Sequence, residues 1–461
     1  MATSLPTPTP AGSSSDRPLR VRLPFISTSF ATDLWYFALL WPVWWALGID
    51  QLLLPFFVLY EFIRFLFRNH WQVRLNVTIL LALGLAIWWV VPVFWIDPEL
   101  LDIFLKETAS IWTQFLFLVL FWNSVRTAAE WRRVAGALTL VAFYTVATSA
   151  IFLSGAWRGV LISLVGRVLP SSMIAGSAFF TSISYRTFGA LASTEGMGLL
   201  SIRLNALTLS FSALSMLCLL LVPFIYWRIQ HTRGIRRLFY LGILLGLLLT
   251  LVFTESRIAY AALLAGAAFY VLLRFFQHRP NRPLMFAIAL IGAAVVLLLA
   301  FVVLGVVIDW FQRAFVDLRP GSWLVRIYIY RQTLALLPEH PIAGWGTSVR
   351  LPDLPNEYAA GTHSSYLGML FQHGIIGLLL YLSLWASVWW SVWRGLNRRG
   401  LTREMVMFWM AIATAFLTFN IREVADSWWW DHSLMYVVWL LWGLALTGPQ
   451  IFRGDASVEK P

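Results

Sequence analysis

"RLFYLGILLGLLLTLVFTESRIAYAALLAGAAFYVLLR", residues 237–274, contains two uncharged apolar runs, bounded by Arg237 and Arg274 and parted only by the polar turn TESR at 254–257. Each run is close to the roughly 17–25 residues that cross bilayer hydrocarbon as a helix. Lipid offers no water to the backbone, so a spanning segment must satisfy its own N–H and C=O groups, which a helix does. The pattern therefore reads as a tight helical hairpin with arginines at one membrane face and a short turn at the other.

The same pattern recurs along the chain. Runs near 34–48, 52–67, 76–95, 109–125, 134–154, 204–227, 237–254, 258–274, 284–308, 364–393, 404–421 and 429–447 predict an all-α, polytopic membrane protein of about twelve spans. Pro55 and Glu61 interrupt the second run. Composition agrees, with 59% hydrophobic and only 12% charged residues, against roughly a quarter charged in a soluble domain. The lone Cys218 excludes a disulfide framework and a thiolate cluster. The excess of 34 basic over 22 acidic residues is spread between apolar runs rather than gathered in a basic domain, so nucleic acid is not the expected partner. We expect one helical domain over 31–450, with Ser-, Thr- and Pro-rich residues 1–30 and residues 451–461 as cytoplasmic tails.

The connections alternate in charge. Arginines cluster around 17–22, 64–74, 126–133, 228–237, 274–282 and 394–403, whereas the intervening turns carry most of the acids, including Asp97, Glu99, Asp102 and Glu107. The positive-inside rule puts the basic set, and with it both termini, in the cytoplasm. Two connections on the opposite face are long, about 155–203 and 309–363, and long loops on a rigid scaffold are where chemistry collects. In the first, "GVLISLVGRVL" could lie flat on the membrane or form part of a short re-entrant pair. In the second, Trp323 to Leu337 reads as an amphipathic helix ended by Pro338 and Pro341.

Basic residues on the outer face need a local reason. They are Lys106, Arg158, Arg167, Arg186, Arg203, Arg257, Arg313, Arg319, Arg326, Arg331, Arg350 and Arg422. Acidic neighbours or lipid phosphate account for most of them. Arg257 sits in the tight TESR turn, Arg203 precedes an apolar run in "LLSIRLNALTL", and Arg326 and Arg331 share the loop helix. Guanidinium groups converging from separate elements suit a polyanion such as a diphosphate, because each offers a planar, permanently charged fork.

"GTHSSYLGMLFQHGIIG", residues 361–377, places His363 just before the tenth run. Amide groups at a helix start disfavour imidazolium, so the ring is expected neutral and able to accept a proton. The alternative is an interfacial histidine bonded to a loop carbonyl. Trp345 and Trp428 to Trp430 could stack on sugars or anchor the interface.

His363 and Ser364, then nine residues, then Gly374-x-x-Gly377 resemble the signature of the bacterial O-antigen ligases. "RIYIYRQTLALLPEHPIAGWGTS" resembles the approach to that histidine in the wider ligase and polymerase superfamily, and "ESR" resembles the family's outer arginine. The resemblance is sharp over about 254–380. It implies a GT-C-like membrane glycosyltransferase that needs no cofactor or metal. Such an enzyme moves a glycan from an undecaprenyl diphosphate carrier to lipid A core on the periplasmic face of the inner membrane. By position it implies His363 as the catalytic base, Arg257 and Arg326 as the essential arginines, and Arg203 as a further match. The first long loop lacks the proline-asparagine pattern of many ligases, and "RLNALTLSFSALSM" is closer to some polymerases. The acceptor is therefore lipid A core or a second lipid-linked glycan. A transporter of anions or glycolipids is the reading from a different class.

Overall fold

The structure, a computed structural model, describes residues 29–176, 178–191, 202–276, 286–292, 294–295, 321–351, 359–398, 401–427 and 432–452. Among these residues nine helices are long and apolar enough to cross a bilayer. The protein is an all-α, multi-pass membrane protein. Three two-stranded bridges are the described sheet structure, all in the connections.

The chain begins with α1 (Phe30–Leu39) and α2 (Trp41–Leu47), where the sequence predicted one span at 34–48. Pro42 sits in the first turn of α2, and a left-handed Gly48 ends it. Next, α3 (Asp50–Arg68) is continuous through Pro55, and Arg64 pairs with Glu61 at 2.7 Å and also with Asp33 on α1. The pairing offsets part of the cost of burying that carboxylate. Then come α4 (Val77–Val90), α5 (Leu101–Ser124) and α6 (Ala128–Leu153). A capping box between Thr127 and Glu130 starts α6 six residues before the run begins in the sequence reading.

The first long connection folds into small pieces rather than a span. Strand β1 (Leu161–Ile162) pairs with β2 (Tyr185–Arg186), enclosing α7 (Leu164–Val168), α8 (Ser171–Gly176) and α9 (Ala178–Ser184). These helices are too short to cross hydrocarbon. Strand β3 (Gly189–Leu191) pairs with β4 (Ile202–Leu204), so the span expected from 204 begins only at Phe211, where Ser210 caps α10 (Phe211–Gln230). The hairpin quoted first is α11 (Gly234–Val252) and α12 (Arg257–Phe276). The expected run at 284–308 and the first part of the second long connection lie largely outside the described residues, as do the two tails apart from their helical ends.

The rest consists of a loop helix (Gly321–Leu336), a bent helix (Ser365–Leu396), an inner helix (Arg403–Glu423) and the final helix (His432–Ile451). The final helix is the most enclosed: every residue from 434 to 449 is buried, against α5, α6 and the bent helix. By contrast α11 leaves Leu238, Leu241, Leu245 and Leu249 exposed, a lipid-facing stripe. Lipid tails are as apolar as leucine, so close backbone approach does much of the packing. Gly266 provides it for α12, where an added Cβ would fall on Thr418 of the inner helix.

The charge alternation corresponds to the two ends of the bundle. At one end Arg64 meets Asp33, the Arg74 N–H donates to Asn123 at 2.8 Å, and the Trp227 indole donates to the Glu404 carbonyl at 3.1 Å. At the other end Arg186 pairs with Asp50, Arg203 with Glu255, and the Trp95 indole donates to the Gly344 carbonyl at 2.9 Å.

Candidate functional site

The bent helix determines where His363 stands. Gly374 has φ 65° and ψ −170°, which no helical residue adopts, and it divides the element into Ser365 to His373 and Ile375 to Leu396. Ring centroids of Tyr366 and Tyr381 lie 6.2 Å apart. Fifteen residues would separate them by about 22 Å on a straight helix. The first limb therefore folds back across the end of the bundle, from Asp426, whose carbonyl accepts the Ser365 N–H at 3.0 Å, to α4, where Trp88 donates to the His373 carbonyl at 2.9 Å. The run expected over 364–393 is thus two limbs joined at Gly374, and the second, Ile375 to Leu396, is by itself long enough to cross.

The bend exposes backbone groups, and the stretch Pro341 to Gly346 satisfies them. Trp345 and Gly346 donate to the carbonyls of Phe371 and Gln372 at 3.0 and 2.7 Å, and the Ile375 N–H donates to the Pro341 carbonyl at 3.0 Å. The approach leaves no room for side chains: a Cβ on Gly374 would fall on the Ile342 carbonyl, and one on Gly344 on the Gln372 backbone. Gly344 of the GWG at 344–346 and Gly374 of G-x-x-G thus meet across one contact. Gly377 faces the Cβ of His373. Beneath, buried Glu423 accepts hydrogen bonds from Tyr381, from Asn420 at 2.7 Å and from Tyr366 at 3.4 Å, tying both limbs to the inner helix.

His363 itself is in the left-handed region, φ 60°, a conformation uncommon for a residue with a Cβ. Four contacts hold it there. Strand β5 (Val349–Arg350) pairs with β6 (Ala359–Ala360); the Gly361 N–H donates to Thr333 of the loop helix at 2.9 Å; Tyr330 of the same helix donates to the His363 carbonyl at 2.6 Å; and Ser364, buried, caps the bent helix by accepting the Leu367 N–H at 3.3 Å. Burial keeps the Tyr330 hydroxyl above its ordinary pKa, so it stays a donor.

The half-buried imidazole is pushed below the usual histidine pKa, first by burial, then by the charges of Arg326 and Arg422, against an opposing pull from Asp426. That direction favours the neutral ring. Arg422 ends the inner helix, almost fully buried. It donates to Asp426 at 3.0 Å and to Ser212 and Ser215 at 2.5 and 3.2 Å, on the first turns of α10. One residue before Ser212, the Phe211 ring lies 4.2 Å beneath the Arg203 guanidinium, which also pairs with Glu255 at 3.3 Å. Contacts therefore run unbroken from Arg203 through the start of α10 and Arg422 to the surroundings of His363. Arg257 stands exposed two residues beyond Glu255, which itself has a positive φ of 53°.

Not every residue chosen from the sequence gathers here. Arg326 acts on His363, but Arg331 is exposed, and five residues along a helix is a turn of about 140° to another face. The Trp345 ring is spent on structure, stacked on Phe371 at 5.9 Å with its indole N–H on the Leu336 carbonyl. Trp428 to Trp430 lie outside the described residues. Tyr330 and Asp426 escaped the sequence reading, and Arg422 entered it only as one more outer arginine. The available signal was an Arg–Asp pair at i,i+4 where an apolar helix ends.

These features define a multi-pass helical membrane protein with buried and half-buried charges gathered at one end. Residues 242–382 match the O-antigen ligase family. That stretch contains Arg257, Arg326, His363 and both motif glycines, whereas Arg203, Arg422 and Asp426 lie outside it. No curated protein matches the chain. The family match supports a membrane glycosyltransferase of the ligase or polymerase kind.

Proposed function

We propose that this protein transfers a glycan from a polyprenyl diphosphate carrier to a sugar hydroxyl of lipid A core, at the periplasmic face of the bacterial inner membrane, with both termini cytoplasmic. What supports the reading is the place of His363: it is held by Tyr330 just before the Ser364 cap of the bent helix, at the end of the bundle that lacks the basic turns, with its pKa lowered by burial and by Arg326 and Arg422 against Asp426. As the acceptor oxygen attacks the anomeric carbon, His363 takes its proton, and the bond to the carrier diphosphate breaks with its electron pair leaving on the diphosphate oxygen. General base catalysis of this kind contributes about 10²–10⁴-fold. The leaving group needs no proton if positive charge meets it, and Arg326 and Arg257, with Arg203, supply fixed cationic forks for that purpose. A single displacement inverts the anomeric centre, and the reaction needs no metal.

A polymerase would use the same donor chemistry with a second carrier-linked glycan as acceptor; the polymerase-like stretch from Arg203 to Met216 favours that second reading. Purified protein in nanodiscs, given carrier-linked glycan together with lipid A core, tests both. Mass analysis showing glycan on lipid A core supports the ligase, and glycan lengthened on the carrier supports the polymerase. Glycan flux into sealed vesicles without any new glycosidic bond would overturn both in favour of transport.

A further inference from the structure

The loop formed by β1, α7, α8, α9 and β2 has one face built for burial and another left open. Ile162 and Tyr185 are directly paired across the two strands, so their side chains share a face. Val160 and Leu164 flank Ile162 at two-residue spacing, and Val168 follows Leu164 at the i,i+4 spacing of α7. All five are exposed: Val168 by 73%, Val160 by 61%, Leu164 by 53%, Ile162 by 47% and Tyr185 by 46%. On the other face Ser163, Ser184 and Arg186 are buried.

That other face sits directly on the helix ends. Arg186 pairs with Asp50 at the start of α3 and lies 5.7 Å over the Trp45 ring. Phe188 stacks on Trp45 at 4.8 Å and meets Trp157, four residues after α6 ends, at 4.9 Å. A Cβ on Gly48, the left-handed turn between α2 and α3, would fall on Ser163. Loop and bundle are thus in direct contact at the ends of α2, α3 and α6, the end of the bundle that borders a head-group surface. The loop's charge fits that surface as well. Arg158 and Arg167 are exposed beside the open face, no Asp or Glu occurs between 155 and 191, and the remaining basic residue there, Arg186, is paired.

We propose that this face docks into the leaflet next to it, with Val160, Ile162, Leu164, Val168 and Tyr185 at the acyl boundary and Arg158 and Arg167 on anionic lipid phosphates. Interfacial segments bind through this pairing of apolar area with cationic head-group contacts. Docking would also steady the β3–β4 pair that carries Arg203, a few residues further on. The inference stands independently of the glycosyl-transfer reading.

Cys218 is fully buried, so a cysteine placed at Ile162 or at Val168 can be labelled selectively with an environment-sensitive fluorophore in the full-length protein. In nanodiscs of phosphatidylethanolamine and phosphatidylglycerol, both labels should emit blue-shifted. They should lose most of their emission when the lipids carry a spin label near the head-group end of the acyl chain. Replacing Arg158 and Arg167 by glutamine in the Ile162→Cys protein should weaken that quenching in discs containing phosphatidylglycerol. Water-like emission unaffected by spin-labelled lipid at both positions overturns the proposal, as does protection of both labels by a second polypeptide instead of by lipid. Quenching that ignores the two arginines overturns the anionic-lipid assignment.

Discussion

Gly374→Ala tests whether the bend positions the site. At φ 65° an alanine is strained by about 1–3 kcal/mol, and its Cβ would fall on the Ile342 carbonyl and the Ala343 nitrogen. Something must yield, and the nearest thing able to move is the 341–346 stretch, with its hydrogen bonds of 3.0, 2.7 and 3.0 Å to the bend. Losing two of these adds about 1–3 kcal/mol, at about 0.5–1.5 kcal/mol each. The expected destabilisation is therefore about 2–6 kcal/mol, at the severe end for a single substitution. The measurement is unfolding followed by tryptophan fluorescence in nanodiscs, where Trp345, Trp88 and Trp95 all report on this contact. Gly242→Ala is the control: it lies within α11 with nothing within 4 Å of the added carbon, so it should be neutral or stabilising by up to about 1 kcal/mol. An unfolding midpoint for Gly374→Ala equal to that of Gly242→Ala would refute the reasoning.

Other outcomes follow from the charges. Because burial and two arginines hold His363 below the usual imidazole pKa, and the base must be neutral, the acid limb of kcat/KM should lie below about pH 6.5. Arg326→Gln removes a cation that disfavours imidazolium and should move that limb towards higher pH; Asp426→Asn removes the opposing anion and should move it lower. A limb that stays in place in both variants would detach His363 from the rate. Asp50→Ala strands the buried Arg186, and breaking such a pair costs about 3–5 kcal/mol; limited proteolysis should then cut the 155–191 loop faster while leaving the spans intact.

Much of this was legible in the sequence, for physical reasons that also mark where legibility stops. Hydropathy records which residues lipid accepts, so the hairpin at 237–274 and the alternation of basic and acidic turns carried straight into the two ends of the bundle. His363 before a helix, and Arg326 on a neighbouring amphipathic one, were readable because caps and prolines are local signals. The reversal at Gly374 was not, since apolar residues continue through it without a break and its partners lie about thirty residues upstream. Likewise α10 starts at Phe211 because β4 pairs with β3, a contact that a run of apolar letters conceals. Arg331 was grouped with Arg326 by proximity in sequence, and the helical phase separates them. Arg422 was noted as an unexpected outer arginine, but only folding brings it between α10 and His363.

The most direct measurement is single-turnover glycan transfer by the His363→Ala protein, with donor already bound and acceptor added to purified components in nanodiscs. If the imidazole takes the acceptor proton, turnover falls by about 10²–10⁴-fold while bound donor and the unfolding midpoint stay at wild-type values. Turnover at the wild-type rate in a folded, donor-loaded His363→Ala protein would contradict the account.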